Sequence, residues 1–261
     1  CNRWSCTSSS DVATPPPSTS YGYLEEELAE IYYQATKETL IGAVRYVLSD
    51  SKDIEIGYST CFHQEPVLRL SCKSEGCGVI LTVEDWNNLL KWQPYTEIQL
   101  YRSKKTEKCW SAEDLIYEDV NYEDYYEPLS DTLGLLYNWK FTDDSDKIIT
   151  TIDIRQFNQS CCMHRNEIEE LFNMKYAINS RLQQLGSYNF ATFYRIFINK
   201  MVDLKRSNKE TAPIADVYED ARYLINQLCI EVYFRKMCLE EILHYNPSII
   251  ANDVMTKLQY V

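Results

Sequence analysis

The chain has 261 residues, of which 45% are hydrophobic and 25% charged, a balance that supports a sizeable core and excludes disorder through most of its length. Its formal net charge of −13 excludes a protein whose whole surface grips nucleic acid, because phosphate neutralisation needs cations; any such contact must be a local basic patch. Only 7 glycines are present, which argues against a fold made of many tight turns and against a glycine-rich phosphate loop.

Residues 1–20 are rich in Ser, Thr and Pro, with Pro15-Pro16-Pro17, and predict a disordered leader. Over 21–50, Leu24, Leu28, Ile31, Tyr32, Ala35, Leu40, Ala43, Val44 and Val47 keep near-helical spacing, which predicts an N-terminal helix, whole or in two pieces. A first β-then-helix unit follows over 51–105. Ile54, Ile56 and Tyr58 alternate with polar residues, Val67, Leu68 and Leu70 follow a turn at His63–Pro66, and Cys77–Thr82 reads as a third strand. Val83–Trp92 then predicts a helix ended by Pro94.

Residues 106–132 form an acidic, aromatic connector in which Glu113, Asp114, Glu118, Asp119, Glu123 and Asp124 interleave with Tyr117, Tyr122, Tyr125 and Tyr126. The β pattern returns in a second unit over 133–186: Leu135–Phe141, a polar turn containing Asp143, Asp144 and Asp146, and Ile148–Ile154. Cys161–His164 leads into a helix from Asn166 to about Leu185, with Gly186 as its expected C-cap. Residues 187–261 read as helical, with Phe190, Phe193, Ile196, Phe197, Met201 and Leu204 on one stripe, a helix from about Pro213 to Tyr245, and another after Pro247.

The two β-then-helix units read as a repeat. A constant offset of 82 residues sets Val67 on Ile149, Leu70 on Ile152 and Lys73 on Arg155, then Trp86 on Ile168, Leu89 on Leu171 and Leu90 on Phe172. Within the first unit, Gly78-Val79-Ile80-Leu81-Thr82-Val83-Glu84-Asp85-Trp86-Asn87-Asn88-Leu89 resembles the last strand and helix start of the positive cofactor four transcriptional coactivator family. Within the second, Ile152-Asp153-Ile154-Arg155-Gln156-Phe157 is similar to that family's basic second strand with its following aromatic.

The resemblance spans roughly 52–100 and 133–185. It implies two tandem antiparallel sheet-plus-helix units forming a pseudo-dimer; with the N-terminal helix and the helical C-terminal region read from the periodicity, which the resemblance leaves unexplained, the expected fold is α+β. The resemblance also implies grooves for single-stranded DNA, a role in transcription or replication, and, by resemblance only, an intracellular protein of the nucleus.

Single strands bind sheets that offer cations for the backbone and aromatic faces for the bases, each stacked base being worth about 1–3 kcal/mol. Arg69, Lys73, Lys140, Lys147 and Arg155 are the candidate phosphate contacts, with Trp139 and Phe157 as stacking partners. Arg102, Lys104 and Lys105, beside Tyr101 and Trp110, form a dense basic and aromatic cluster; a solvated face after a helix reads it equally well. The chain departs from the family at the strand turns, where His63, Glu65 and three aspartates stand in place of lysines. The acidic connector reads as a solvated linker, or alternatively as a nucleic-acid mimic lying over a basic groove. A second reading keeps the fold, loses the DNA site, and assigns the connector and the helical stripes to protein partners.

Nothing points to an enzyme. The three histidines, His63, His164 and His244, stand in no known catalytic spacing, and no nucleophile elbow, dinucleotide fingerprint or zinc-protease motif occurs. Cys61, His63, Cys72 and Cys77, or Cys161, Cys162 and His164, would cluster if strands pair, but none of them has C-x-x-C spacing, so the 10 cysteines read as reduced and mostly buried. No cofactor or metal is expected. No apolar run reads as a membrane span or a secretory signal, and no membrane partner is expected. The start at Cys1 is compatible with a fragment of a longer protein.

Overall fold

The computed structural model describes residues 21–73, 78–98, 125–141, 148–207, 214–228 and 232–259, with the backbone alone for 21–24, 139–141, 148–150 and 214–216. The fold is α+β: two four-stranded antiparallel sheets form a pseudo-dimer, with a helix before them and helices after them. In chain order the elements are α1 (Tyr21–Lys37), β1 (Ile41–Val47), β2 (Lys52–Ser59), β3 (Glu65–Cys72), β4 (Gly78–Thr82), α2 (Val83–Lys91), β5 (Tyr125–Pro128), β6 (Gly134–Phe141), β7 (Ile148–Gln156) and β8 (Gln159–His164). Among the described residues six helices follow: α3 (Arg165–Asn173), α4 (Lys175–Tyr188), α5 (Phe190–Ser207), α6 (Ile214–Asn226), α7 (Tyr233–Tyr245) and α8 (Pro247–Gln259). Each sheet is an up-and-down meander in chain order.

Alternation sorts the strands by face. Ile54, Ile56, Leu68, Leu70, Val79 and Leu81 of the first sheet, and Leu135, Tyr137, Ile152, Ile154, Cys161 and Met163 of the second, all enter one shared core. Each half sends its helical part across to the other half's sheet. Tyr58 on β2 donates to the Leu185 carbonyl of α4 at 2.8 Å, while Thr96, after α2, lies 3.1 Å from the Tyr137 hydroxyl on β6. Trp86 of α2 donates to Asn179 of α4 at 2.7 Å, joining the two helices.

The repeat is real but not of constant offset. Thr82 and His164 are the N-caps of α2 and α3, and Trp92 and Met174 are their C-caps, so strand four and the helix keep the offset of 82. Trp86, Ile168, Leu89 and Leu171 are all fully buried, as that offset requires. In the third strand, however, Val67 lies opposite Thr82 and Thr151 lies opposite His164. Val67 therefore matches Thr151, Leu70 matches Ile154 and Arg69 matches Asp153, two residues beyond the sequence superposition. A slip of two keeps every side chain on its face, which is why the hydrophobic pattern did not reveal it.

Other expectations change at element boundaries. The helix expected over 21–50 stops at Lys37, and 41–47 is the edge strand β1. Ile41, Val44 and Val47 satisfy helical spacing, but they are β-branched, and Gly42 takes φ +60, which a helix does not accommodate. The first unit thus begins at Ile41. The connector over 106–132 ends in structure too: Tyr125–Pro128 is β5, paired to β6.

Pro94 ends no helix, because 93–98 is helical again and a proline in a first turn gives up no needed N–H. Gly186 lies inside α4, whose C-cap is Asn189 in the left-handed region at φ 48. The helix expected from Pro213 to Tyr245 is two helices, α6 and α7. Residues 1–20 and 99–124, with the rest of the connector, lie outside the described residues.

Candidate nucleic-acid interface

The outer face of the first sheet, away from the shared core, is built by Arg45 on β1, Asp53 and Glu55 on β2, and Arg69 and Ser71 on β3, with Lys73 just beyond. Arg45 lies opposite Glu55, and Glu55 opposite Arg69, so charges alternate across three strands. Arg45 and Lys73 both pair with Asp53, whose carboxylate is buried between them, and Arg69 pairs with Glu55. Three cations thus face two carboxylates. The Arg45 and Lys73 side chains are 57% and 39% exposed, against 13% for Arg69. The hydrogen bond that Arg45 donates to Asp53 holds the guanidinium proton still more firmly than usual.

The other half of this face is covered by α1. Tyr32, Ala35 and Leu40 pack on Val67 and Ile80 in a second, smaller core. Arg69 donates to the Thr36 and Glu38 carbonyls at the end of α1, and the Tyr32 hydroxyl donates to Asp85 at 3.3 Å. Between the end of α1 and the strands lies a cleft of about 440 Å³ lined by Glu38, Ala43, Glu55, Arg69 and Ser71.

On the second sheet, Arg155 pairs with Asp153 at 3.4 Å and is 46% exposed. Phe157 lies at φ 49 in the β7–β8 turn and packs against Tyr32, ring centres 5.4 Å apart. The same turn crosses to the first half: Gln156 accepts the Ile80 N–H at 3.0 Å, satisfying the edge of β4. Phe157 is therefore part of the contact between halves rather than an open stacking platform.

No family model matches the chain, and no curated protein or solved structure is significantly similar to it.

Of the candidate contacts read from the sequence, Arg69 and Lys73 share the first face, and Arg155 is on the second sheet. Trp139 and Lys140 are in β6, opposite Thr150 and Ile149, with side chains outside the described residues. Arg102, Lys104, Lys105 and Lys147 lie outside the described residues altogether. Arg45 was missed because its stretch read as helix; its alternation with Val44 and Tyr46, which face inward, was the available signal.

Among the described residues no group of three His, Cys, Asp or Glu side chains is placed to hold a metal ion. Burial, aided by Glu38, pushes the Cys61 thiol up to about 11, and burial with Asp153 does the same to Cys162, so neither is a thiolate at neutral pH.

Proposed function

We propose that this protein binds single-stranded nucleic acid without sequence preference, through the outer sheet faces of its internal pseudo-dimer. The observation that carries the reading is the local excess of cations on the first sheet: Arg45, Arg69 and Lys73 against Asp53 and Glu55, on a chain of net charge −13. A phosphate bridging Arg45 and Lys73 exploits the two half-exposed members of that set, while Asp53 spaces them. The tandem sheet-and-helix order agrees with the resemblance to the positive cofactor four family, and with it a role in transcription or replication in the nucleus. The reading assigns no catalysis and no cofactor. Among the described residues no helix is long and apolar enough to cross a membrane.

A second reading, a protein-assembly module on the same fold, is favoured by one specific observation. Each cation of the face already has a carboxylate partner, and Arg69 is also engaged by α1 carbonyls. The two readings separate in a fluorescence-anisotropy titration of a labelled single strand of about 20 nucleotides at low and moderate salt. Salt-sensitive binding weakened about tenfold or more by R45E/K73E supports the nucleic-acid reading. Absence of binding at low salt overturns it and leaves the assembly module.

A further inference from the structure

A cleft of about 460 Å³ opens where the β2–β3 loop meets α5 and α8, and it shares no lining residue with the cleft beside the ion-paired sheet face. Its apolar wall is made by the buried Tyr194 and Ile198 of α5. Its polar rim comes from three separate parts of the chain: His63 and Gln64 on the loop, Arg195 on α5, and Asp253 and Lys257 on α8. Three basic side chains therefore surround one carboxylate, and that carboxylate already accepts the Tyr194 hydroxyl at 2.7 Å. Among the described residues Lys257 donates only to the neutral Asn199 amide, at 2.6 Å, and Arg195 has no ion-pair partner.

Two features mark the cleft as built rather than incidental. Gln64 is only 7% exposed and lines the cleft, and its side-chain amide makes no hydrogen bond to another described residue. The amide atoms are not sealed from solvent, so they stand open to a ligand's donor and acceptor groups. In addition, His63 and Gln64 are consecutive non-glycine residues in the left-handed region, at φ 53 and φ 61. Local hydrogen bonds hold the loop there, Gln64 N–H to the Ser59 carbonyl at 2.8 Å and Glu65 N–H to the Phe62 carbonyl at 3.0 Å. Strain of this kind persists where the surroundings over-determine the backbone, and it collects at ligand clamps.

We infer that this cleft binds a nucleotide: the phosphate between Arg195, Lys257 and His63, the ring and sugar along the Tyr194–Ile198 wall, and the Gln64 amide hydrogen-bonded to the ligand. The volume, the single apolar wall and the cationic rim match a mononucleotide, and the amide supplies both a donor and an acceptor. The nucleotide has two possible sources, a free mononucleotide or the 5′-phosphorylated end of a strand. This site does not depend on the sheet face.

Isothermal titration with thymidine 5′-monophosphate, and separately with a short oligothymidylate with and without its 5′-phosphate, distinguishes the sources. Binding of the free mononucleotide, or of the phosphorylated strand alone, is expected to weaken about tenfold in R195E and in K257E. R45E/K73E is expected to leave the mononucleotide affinity unchanged, so failure here and failure of the sheet-face reading are separable. Gln64→Gly is the folding control: glycine accepts φ 61 without strain, which offsets the lost side-chain packing, so the melting temperature is expected to hold while affinity falls about fivefold. No heat from the mononucleotide at millimolar concentration, together with no gain in affinity from the strand's 5′-phosphate, overturns the assignment, as does a mononucleotide affinity or a 5′-phosphate gain that R195E and K257E leave intact.

Discussion

Asp85 and Glu167 hold the same position in α2 and α3, and each takes hydroxyl hydrogen bonds from the turn between the first two strands of the opposite half. Glu167 accepts from Ser49 at 2.7 Å and Ser51 at 3.3 Å; Asp85 accepts from Ser130 at 3.4 Å and Thr132 at 3.2 Å. The turns themselves are copies. Leu48 and Ser49 donate backbone N–H groups to the Lys52 carbonyl, and Leu129 and Ser130 donate theirs to the Leu133 carbonyl. Each acid also reaches back to its own helix start, Asp85 to the Thr82 N–H at 3.1 Å and Glu167 to the His164 N–H at 2.8 Å. One carboxylate per half thus caps a helix and locks the pseudo-dimer together.

One difference between the two locks adds a second charge. Lys52 stands where the other half has Leu133, and its ammonium pairs with Glu167 at 2.8 and 2.9 Å in a buried setting. Glu167→Ala strands that ammonium without its partner and is expected to cost about 3–5 kcal/mol in urea denaturation. K52L/E167Q, which removes both charges at once, is expected to cost far less than E167A, because no charge is left buried alone.

The same pair sets a pH window. Burial opposes ionisation of Glu167, but the hydrogen bonds from Lys52, Ser49 and the His164 N–H outweigh it and hold the carboxyl below the usual range. A depressed carboxyl contributes stability above its unfolded value of about 4.3 and loses it as pH falls through the folded value. Lys52, whose burial is likewise outweighed by Glu167, is raised, so its share is lost only as pH climbs past about 10.4. The stability gap between wild type and E167Q, measured as urea midpoints, is expected to be full at pH 6 and to close toward pH 3.

Gly42 is where the C-terminal helices grip the first sheet. Its N–H donates to Glu241 of α7 at 2.6 Å and its carbonyl accepts from Arg181 of α4 at 2.7 Å. A Cβ added there meets Phe234 at 3.1 Å and Cys238 at 3.2 Å, on a backbone at φ +60. Gly42→Ala is expected to cost about 1–3 kcal/mol, from the left-handed conformation and the overpacking together. Hydrogen exchange should show the loss first in α7.

Tyr32 is the main anchor of α1, buried between Phe62 and Phe157 in the smaller core. Tyr32→Ala is expected to cost about 3–5 kcal/mol locally, releasing α1 while the shared core stays folded. Exchange protection in α1 should collapse, with β2 and β6 unchanged. On the proposed function, the freed face should bind single strands more tightly.

Counterion release gives a further check on the sheet face. If Arg45 and Lys73 each neutralise one phosphate, R45A/K73A should flatten the log–log salt slope of strand binding by about 1.4, at roughly 0.7 per contact. An unchanged slope would place those contacts elsewhere.

Much of the frame was legible because it rests on local periodicity. The strands around Ile54, Leu68 and Leu81, the helix after Thr82 and the return of the pattern after Leu133 all show in residue alternation and capping chemistry. Leu48-Ser49-Asp50-Ser51 and Leu129-Ser130-Asp131-Thr132 are an equally clear repeat, 81 positions apart and so out of step with the offset of 82. β1 was misread because Leu40, Ala43, Val44 and Val47 fit a helix as well as a strand. Of the candidate site, Arg69 and Lys73 were visible as strand cations, but their partners were not.

The sequence by itself determined the two-part α+β plan, the acidic surface and the inward face of each strand, since these follow from hydrophobic period and charge count along neighbouring residues. Tertiary structure alone decided the rest. It set α1 over half of the first sheet, gave Arg69 to Glu55 and Lys52 to Glu167, and brought His63 to Lys257 across some two hundred residues. Those pairings depend on register and on the crossing of the two halves, and a two-residue slip or a swapped helix leaves no mark on the local pattern that a sequence displays.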